Sequence, residues 1–531
     1  MQALRDTIHV TPGEWRWVIL FSGLLLLLAF MPFLWVAFSG AAADHWQFMG
    51  MLNNYRDGAT YLAKMLQGVE GMWMIEFRHT TESHAPILIQ VIYPALGHLA
   101  RVIGLSPIAI FHVARVTFSL IMYVALYYLA ATIWPHRLRP RRIFFTVVAI
   151  GAGFGWLFAP LTGNTTFPDL TIPEMFPFYS SLVNVHFPLA FACIALIVGV
   201  LITAFRPGFN EDPNVSNGGL IAGALSFFLA LLYPQALLPM GAALVVYVLA
   251  IYVQERRIAI REMRWMLVVG LPALPLAVYY AAVVTYNPVA ASWNQQNITP
   301  APPPLVLVLG LGLPLLMALP GIWRALRHFE QDGDRFVLLW LIMIVLAIYF
   351  PSNVQRRFSV GLMIPIAYFA TRALESFWFE RISRRWRYRL LVAAVPLMVF
   401  SSVLILISNL NVTPGPFLKR DYALAMQWLK GSAGTDGAVL ASEEVSIWVP
   451  GWTGLRVVYG HPFETVAAQA KDAQVRDWFA GENADDCRAL LSKYNVRWVI
   501  IGPQETALGS TPCTDELTPV LTLGTVTVYA P

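Results

Sequence analysis

Arg56, Asp57, Tyr61 and Lys64 stand together in "RDGATYLAK", part of a polar stretch from Met51 that begins about a dozen residues beyond the end of a long apolar run. A carboxylate so placed can accept a proton, and a guanidinium beside it can bind an anion. Downstream, "EFRHTTESH" (76–84) sets His79, Glu82 and His84 close in sequence. Two imidazoles and an acid are a donor set for a divalent metal, and equally an ordinary solvated loop. Glu174 lies in "FPDLTIPEMF", Asn184 and His186 in "NVH", and Arg356 and Arg357 in "NVQRRF". Ionisable groups near hydrocarbon are costly, so they usually face a cavity or a partner. No P-loop is present, which argues against direct use of ATP.

These groups sit in a chain of 531 residues that is 57% hydrophobic and only 13% charged, with formal charge +5. Soluble domains carry roughly 25% charged residues, and apolar runs long enough to cross about 30 Å of hydrocarbon recur here. The composition defines a polytopic membrane protein. Its basic excess is what membrane orientation demands and gives no reason to expect nucleic acid as a partner. The first run, Trp17 to Ser39, exceeds the roughly 7–15 apolar residues of a cleavable signal and reads as a retained span.

Eleven spans are expected, at 17–39, 108–133, 143–161, 182–205, 219–234, 236–253, 265–285, 305–323, 336–350, 358–374 and 390–409. Pro86–Gly104 is apolar too, but Gln90, His98 and Arg101 suit it to the interface or to the flank of the bundle. With the N-terminus in the cytoplasm, the arginine-rich loops 135–142, 255–264, 324–335 and 380–389 all fall inside, and the loops 163–181 and 286–304, without Lys or Arg, fall outside. The same topology gathers Asp44, His45, Arg56, Asp57 and the 76–84, 167–176, 184–186, 292–297 and 353–358 segments on the outer face.

Beyond Leu410 the hydropathy drops. "DYALAMQWLKGSAGTDGAVL" reads as helix, turn and strand, "AAQAKDAQVRDWFAG" and "DDCRALLSKYNV" as amphipathic helices, and "RWVIIG" and "GTVTVYA" as strands. The expected architecture is a polytopic α-helical membrane domain of about 11 transmembrane helices over 1–409, with a large outside loop at 40–107, followed by a small extracytoplasmic α/β domain over 410–531. Cys487 and Cys513 of that domain can pair if it lies outside the cell.

The order of these elements resembles the type C glycosyltransferases, and among them the aminoarabinose-transferase and protein O-mannosyltransferase-like group. The resemblance rests on "RDGATYLAKM" (56–65), "HAPILIQ" (84–90), "HVAR" (112–115), "QRRFSVGLMIPIA" (355–367) and the C-terminal domain. The family shows Asp-Glu-x-x-Tyr after the first span and a basic-Pro-Pro-Leu motif further on. Here the second acid is Gly58 and the proline pair is Ala85–Pro86. Gly58 weakens any role needing paired carboxylates there, metal binding above all; Glu174 or Asp169 can supply a second acid from another loop.

The resemblance implies an inverting transferase at the plasma (inner) membrane that moves a sugar from a polyprenyl-phosphate donor to a glycan, lipid or protein acceptor on the outer face. Asp57 is then the general base, with Glu174 as accessory acid. Arg356 and Arg357 are the phosphate clamp, with Arg56 next, and Tyr61, His84 and His186 are further substrate-binding candidates. The acid and the two arginines are expected around one pocket at the outer lipid boundary. No cofactor follows beyond an optional divalent metal. Other readings of the same residues are a helix N-terminus favouring Asp57, arginines snorkelling to headgroups, and His186 and Asn184 joining two helices. His112 and Arg115, inside a span, are expected to pair with an acid or a lipid phosphate. "GHPFET" (460–465) reads first as a strand–turn–helix junction with Thr465 near the cap, and second as an anion or acceptor site. Two other functions fit the composition: a flippase for a lipid-linked molecule, and a scaffold with a binding ectodomain. A transporter would be expected to show internal repeats and charges at the bilayer midplane, whereas here the charges gather at one rim.

Overall fold

The computed structural model describes residues 10–40, 45–206, 217–329, 333–411, 413–432, 434, 437–482 and 487–531. Asp44 lies outside them. The chain divides into two compact units. The first holds 1–30, 115–279 and 299–408; the second holds 31–114, 280–298 and 409–531.

In chain order the principal helices are α1 (Pro12–Gly40), α2 (Tyr55–Val69), α3 (Ile92–Ile103), α4 (Pro107–Ile133), α5 (Leu138–Ile150), α6 (Gly155–Thr162), α7 (His186–Ala204) and α8 (Asn217–Leu232). There follow α9 (Leu237–Glu255), α10 (Ile260–Gly270), α11 (Leu274–Tyr286), α12 (Pro304–His328), α13 (Asp334–Ile348), α14 (Met363–Ala373) and α15 (Arg384–Ser408). Every expected span falls on this set. Eight stretches among the described residues are long and apolar enough to cross a membrane. The other three expected spans fall on α8, α13 and α14, with 16, 15 and 11 residues, short of the roughly 20 that a straight crossing takes. The chain beyond α14 stays helical through a π-helical turn, Leu374–Trp378, and a last turn, Phe379–Arg381, which carries the run from Met363 to Arg381 before it breaks. The 86–104 segment is not a span: α3 covers only 12 residues, with Tyr93, Leu96 and Ala100 buried and Leu99 and Val102 exposed.

The expected span 143–161 is two half-helices, α5 and α6, parted at Gly151–Phe154. A broken helix inside hydrocarbon must place its freed N–H groups elsewhere in the protein. Ala152 N–H donates to Met398 O at 2.9 Å and Phe154 N–H to Leu309 O at 2.8 Å. A Cβ on Gly153 would lie 2.1 Å from Gly310 O, so only glycine admits this crossing. Asp169 closes the break: its Oδ2 accepts from Gly155 N–H at 2.9 Å and from Ser401 Oγ–H at 2.5 Å. Burial pushes its carboxyl up to about 6. Asp169 is thus a cap for α6.

In the second unit, β1 (Trp46–Phe48) pairs antiparallel with β2 (Phe417–Lys419), register Trp46↔Lys419. Next come α16 (Arg420–Ser432), β3 (Ala438–Leu440), β4 (Arg456–Val457), α17 (Ala468–Ala480), α18 (Cys487–Lys493), β5 (Val496–Ile501), β6 (Thr518–Leu523) and β7 (Val526–Ala530). They form a mixed sheet of order β4-β3-β5-β7-β6, parallel from β4 to β5 and antiparallel beyond. Its core packs Trp478, Phe479, Leu491 and Val499, with the Cys487–Cys513 disulfide within it.

Candidate active site

The acid chosen from the sequence begins a buried helix. Asn54, in the left-handed conformation (φ 52°), turns the chain into α2, and its Nδ2–H donates to Asp57 Oδ2 at 2.8 Å. The helix reads as polar, yet Gly58 to Gly68 are all buried. Asp57 stays one-third exposed at its head, and His461 Nε2 lies 3.4 Å from its Oδ1. The tautomer of His461 follows from the backbone. Its Nδ1 accepts N–H groups from Phe463 at 3.1 Å and Glu464 at 3.2 Å. A nitrogen accepting two donors carries no proton, so in the neutral ring the hydrogen is on Nε2, facing the carboxylate.

The turn holding His461 is the "GHPFET" segment. Thr465 Oγ1 accepts from Gly460 and His461 N–H and donates to His79 O. Gln296 clamps the turn from outside, donating to Thr465 O at 2.8 Å and accepting from Ala468 N–H at 2.9 Å. Thr465 therefore caps the turn and not the helix, because α17 starts three residues later. Beneath it, Glu464 Oε1 meets Lys64 Nζ at 2.5 Å, with side chains only 5% and 1% exposed. Its Oε2 faces His79 Nδ1 at 3.5 Å, and His79 Nε2–H donates to Ile447 O at 3.0 Å. Burial drives the charged form of Glu464 uphill, but the Lys64 ammonium beside it wins and holds its carboxyl well below the usual range. His79 is governed the other way: burial outweighs Glu464 and lowers its pKa, leaving it neutral.

The remaining candidates of this unit have structural partners. Arg56 reaches Glu443 at 3.0 Å from a half-exposed position. Tyr61 stacks on Tyr93, centroids 4.0 Å apart and planes 4° from parallel. His84 Nε2 accepts from Phe77 N–H at 3.0 Å, so its Nδ1–H donates to Ala85 O at 2.9 Å, and the ring is spent on backbone. The 76–84 cluster disperses: His79 turns to Glu464, His84 to backbone, and Glu82 to Lys471 at 2.7 Å. Among the described residues no three His, Cys, Asp or Glu side chains are placed to hold a metal. His112 Nε2 bonds to Gly50 O at 2.8 Å. Gly58, where the resembling family has an acid, is packed against Met51; a Cβ there would lie 2.7 Å from Met51 Cγ.

The first unit brings together the other candidates. Glu174, buried in the turn Pro173–Met175, lies 3.4 Å from Arg356 Nε. The segment Gln355–Ser359 that carries the arginines is pinned by Arg356 N–H to Thr299 O and by Gln355 Oε1 to Ala301 N–H. Glu174 O in turn accepts from Gly361 N–H at 3.3 Å. His186 opens α7 with its ring stacked on Tyr233, centroids 6.0 Å apart, and the turn Pro234–Ala236 after Tyr233 packs against Gln355–Ser359. Four loops far apart in sequence thus converge. Arg115 is fully buried, with Nη1 donating to Ser181 O at 2.6 Å and its guanidinium over Phe30.

Sequence reasoning did not anticipate Lys64, Glu464 and His461 as one network. The signal was present in outline: a lysine on an otherwise apolar helix stripe, and an acid and histidine in a tight proline turn.

No family model and no curated protein matches the chain. Solved structures do. ArnT from Cupriavidus metallidurans, bound to undecaprenyl phosphate, superposes with TM-score 0.57 at 14% identity, covering 97% of this chain and 98% of that one. The archaeal oligosaccharyltransferase AglB from Archaeoglobus fulgidus, with an inhibitory peptide and dolichol-phosphate, gives 0.56 at 12% identity over 96% and 73%. The mycobacterial arabinofuranosyltransferase AftD gives 0.52 at 12% identity over 97% and 41%. Identities this low speak to architecture: the chain has the membrane fold of the type C glycosyltransferases.

Proposed function

We propose that this chain is a membrane glycosyltransferase that takes a sugar from a polyprenyl-phosphate donor and gives it to a glycan, lipid or protein acceptor. The observation that carries the reading is the fold match along nearly the whole chain to ArnT, solved with undecaprenyl phosphate. The acceptor hydroxyl oxygen attacks the anomeric carbon, the bond from that carbon to the phosphate oxygen breaks, and the hydroxyl proton passes to Asp57. The His461 Nε2–H and Asn54 Nδ2–H contacts steady the Asp57 carboxylate in one rotamer. The departing polyprenyl phosphate gains a negative charge, which Arg356 can take up by exchanging Glu174 for phosphate. Arg357 adds charge of the same sign beside it.

The enzyme works on the outer face, with the N-terminus in the cytoplasm and residues 410–531 outside. The four arginine-rich loops support this orientation, as does the Cys487–Cys513 disulfide, a bond that persists in oxidising compartments. The test is a proteoliposome assay with a panel of polyprenyl-phosphate sugars, scoring release of polyprenyl phosphate by mass spectrometry. Asp57→Asn should cut turnover roughly 10²–10⁴-fold while donor binding persists. Turnover at the native rate, or lipid movement across the bilayer without sugar transfer, would overturn the proposal.

A further inference from the structure

Between α12, the π-helical turn Leu374–Trp378 and the first half of α15 lies a cavity of about 630 Å³, within the size range of ligand sites. Its walls are apolar, Leu316, Pro320, Phe377 and Leu397 among them, and among the described residues the one charged side chain lining it is Arg387. A second apolar cleft, of about 160 Å³, adjoins it. The two share Met317, Leu374, Leu391 and Ala394, and the smaller likewise has a single charged lining residue, Arg142. They form a fork with a common wall and one guanidinium on each branch.

Water does not fill a space with no polar partners, and leaving it empty forfeits dispersion contacts on every wall. In a bilayer the available filler is hydrocarbon chain. The surroundings specify its headgroup. The stretch 380–389, which runs into α15, carries five arginines against one acid, Glu380. Trp386 and Tyr388 beside them are exposed, the residue types that sit at headgroup level. Arg387 is held over Phe379 with its Nε–H on Ile382 O at 2.7 Å, and Arg142 lies over Trp17. The nearby acid Glu375 is already taken by Arg137 and Arg139, at 2.6 Å each. The guanidinium groups around the fork thus outnumber its free acids and call for an anion.

We propose that this fork is a binding site for one anionic, two-chain phospholipid, an acyl chain in each branch and the phosphate between Arg142 and Arg387. It is not the donor site proposed above. Arg356 and Glu174 lie before α14 and the fork after it, and the 11 residues of that helix separate them by about 16 Å at about 1.5 Å per residue. A single-chain polyprenyl phosphate would leave one branch unfilled.

The experiment is native mass spectrometry of the full-length protein in detergent, equilibrated with equimolar dioleoyl phosphatidylglycerol and dioleoyl phosphatidylcholine. The expected result is one retained phosphatidylglycerol per chain. Arg142→Gln and Arg387→Gln should each weaken retention about fivefold. Ala394→Phe, which fills the shared wall and leaves both arginines in place, should abolish it with the thermal melt unchanged. Equal retention of the two lipids, retention unaffected by all three substitutions, or displacement of phosphatidylglycerol by undecaprenyl phosphate would each overturn the assignment. Because the readout is lipid retention and not sugar transfer, it stands or falls apart from the proposed enzymatic activity.

Discussion

Replacing Lys64 with methionine should be among the most damaging single changes in the chain, and the damage should be reversible by a second change. Lys64 Nζ and Glu464 Oε1 lie 2.5 Å apart with almost no exposure. Removing one partner of a buried pair strands the other charge, at a cost of roughly 3–5 kcal/mol. Lys64→Met leaves Glu464 facing only His79, which burial keeps neutral; Glu464→Gln leaves the ammonium with Thr60 Oγ1 at 3.2 Å. The double variant Lys64→Met/Glu464→Leu strands nothing, since neutral His79 needs no carboxylate. It should recover most of the loss, as isosteric apolar replacements of buried pairs often do. The assay is thermal unfolding of the solubilised full-length protein followed by intrinsic fluorescence, comparing the wild type with the three variants. The pH dependence follows the same logic. The folded carboxyl of Glu464 titrates below its unfolded value, so the unfolded state binds protons first. The stabilisation is complete above about pH 5 and is lost as pH falls through and below the usual range near 4.3. Burial of neutral His79 acts in the same direction, fading as pH drops below about 6.5. Additive single and double variants, or a wild-type stability that rises on acidification, would refute the argument.

His461→Ala should lower turnover by roughly 10- to 100-fold, the worth of about 1.5–3 kcal/mol for a hydrogen bond to a charged group; His461→Gln, which can keep a donor toward Asp57, should recover part of it, as read from kcat and its pH profile. Glu174→Gln should free Arg356 and tighten binding of inorganic phosphate or polyprenyl phosphate several-fold, whereas Arg356→Ala should weaken it, both measured by titration in detergent. Cys487→Ser should destabilise the C-terminal sheet by about 2–4 kcal/mol, given that the disulfide closes a loop of separation 26, and limited proteolysis of the region around Cys513 should report it.

Where periodicity is local, the sequence was readable. Hydrophobic run lengths located the helices of the membrane region, and the break expected between the spans 219–234 and 236–253 appears as the short 3-10 turn Pro234–Ala236 between α8 and α9. The strands "RWVIIG" and "GTVTVYA" became β5 and β7. What escaped was non-local. Three-residue strands such as β1 and β2 carry too few alternations to register, and nothing local says that Trp46 meets Lys419. The split of 143–161 turns on Gly153 meeting Gly310 backbone to backbone, a contact that hydropathy does not encode. At the candidate site, residue type drew attention to Asp57, Glu174 and Arg356. His84 and Tyr61 were equally conspicuous by type but lie against protein partners, because a polar side chain is as often consumed by its own backbone as offered to a ligand.

The Lys64–Glu464 contact spans 400 positions of chain, and that distance is also a delay. At roughly 5–20 residues per second of synthesis, Lys64 emerges tens of seconds before the carboxylate that neutralises it. During that interval the early helix carries an unmatched ammonium in a segment destined for the interior, beside an apolar span already in the bilayer. Assembly of this half of the molecule must therefore wait until the ribosome has passed Glu464, and the nascent loop has to be sheltered or kept hydrated until then.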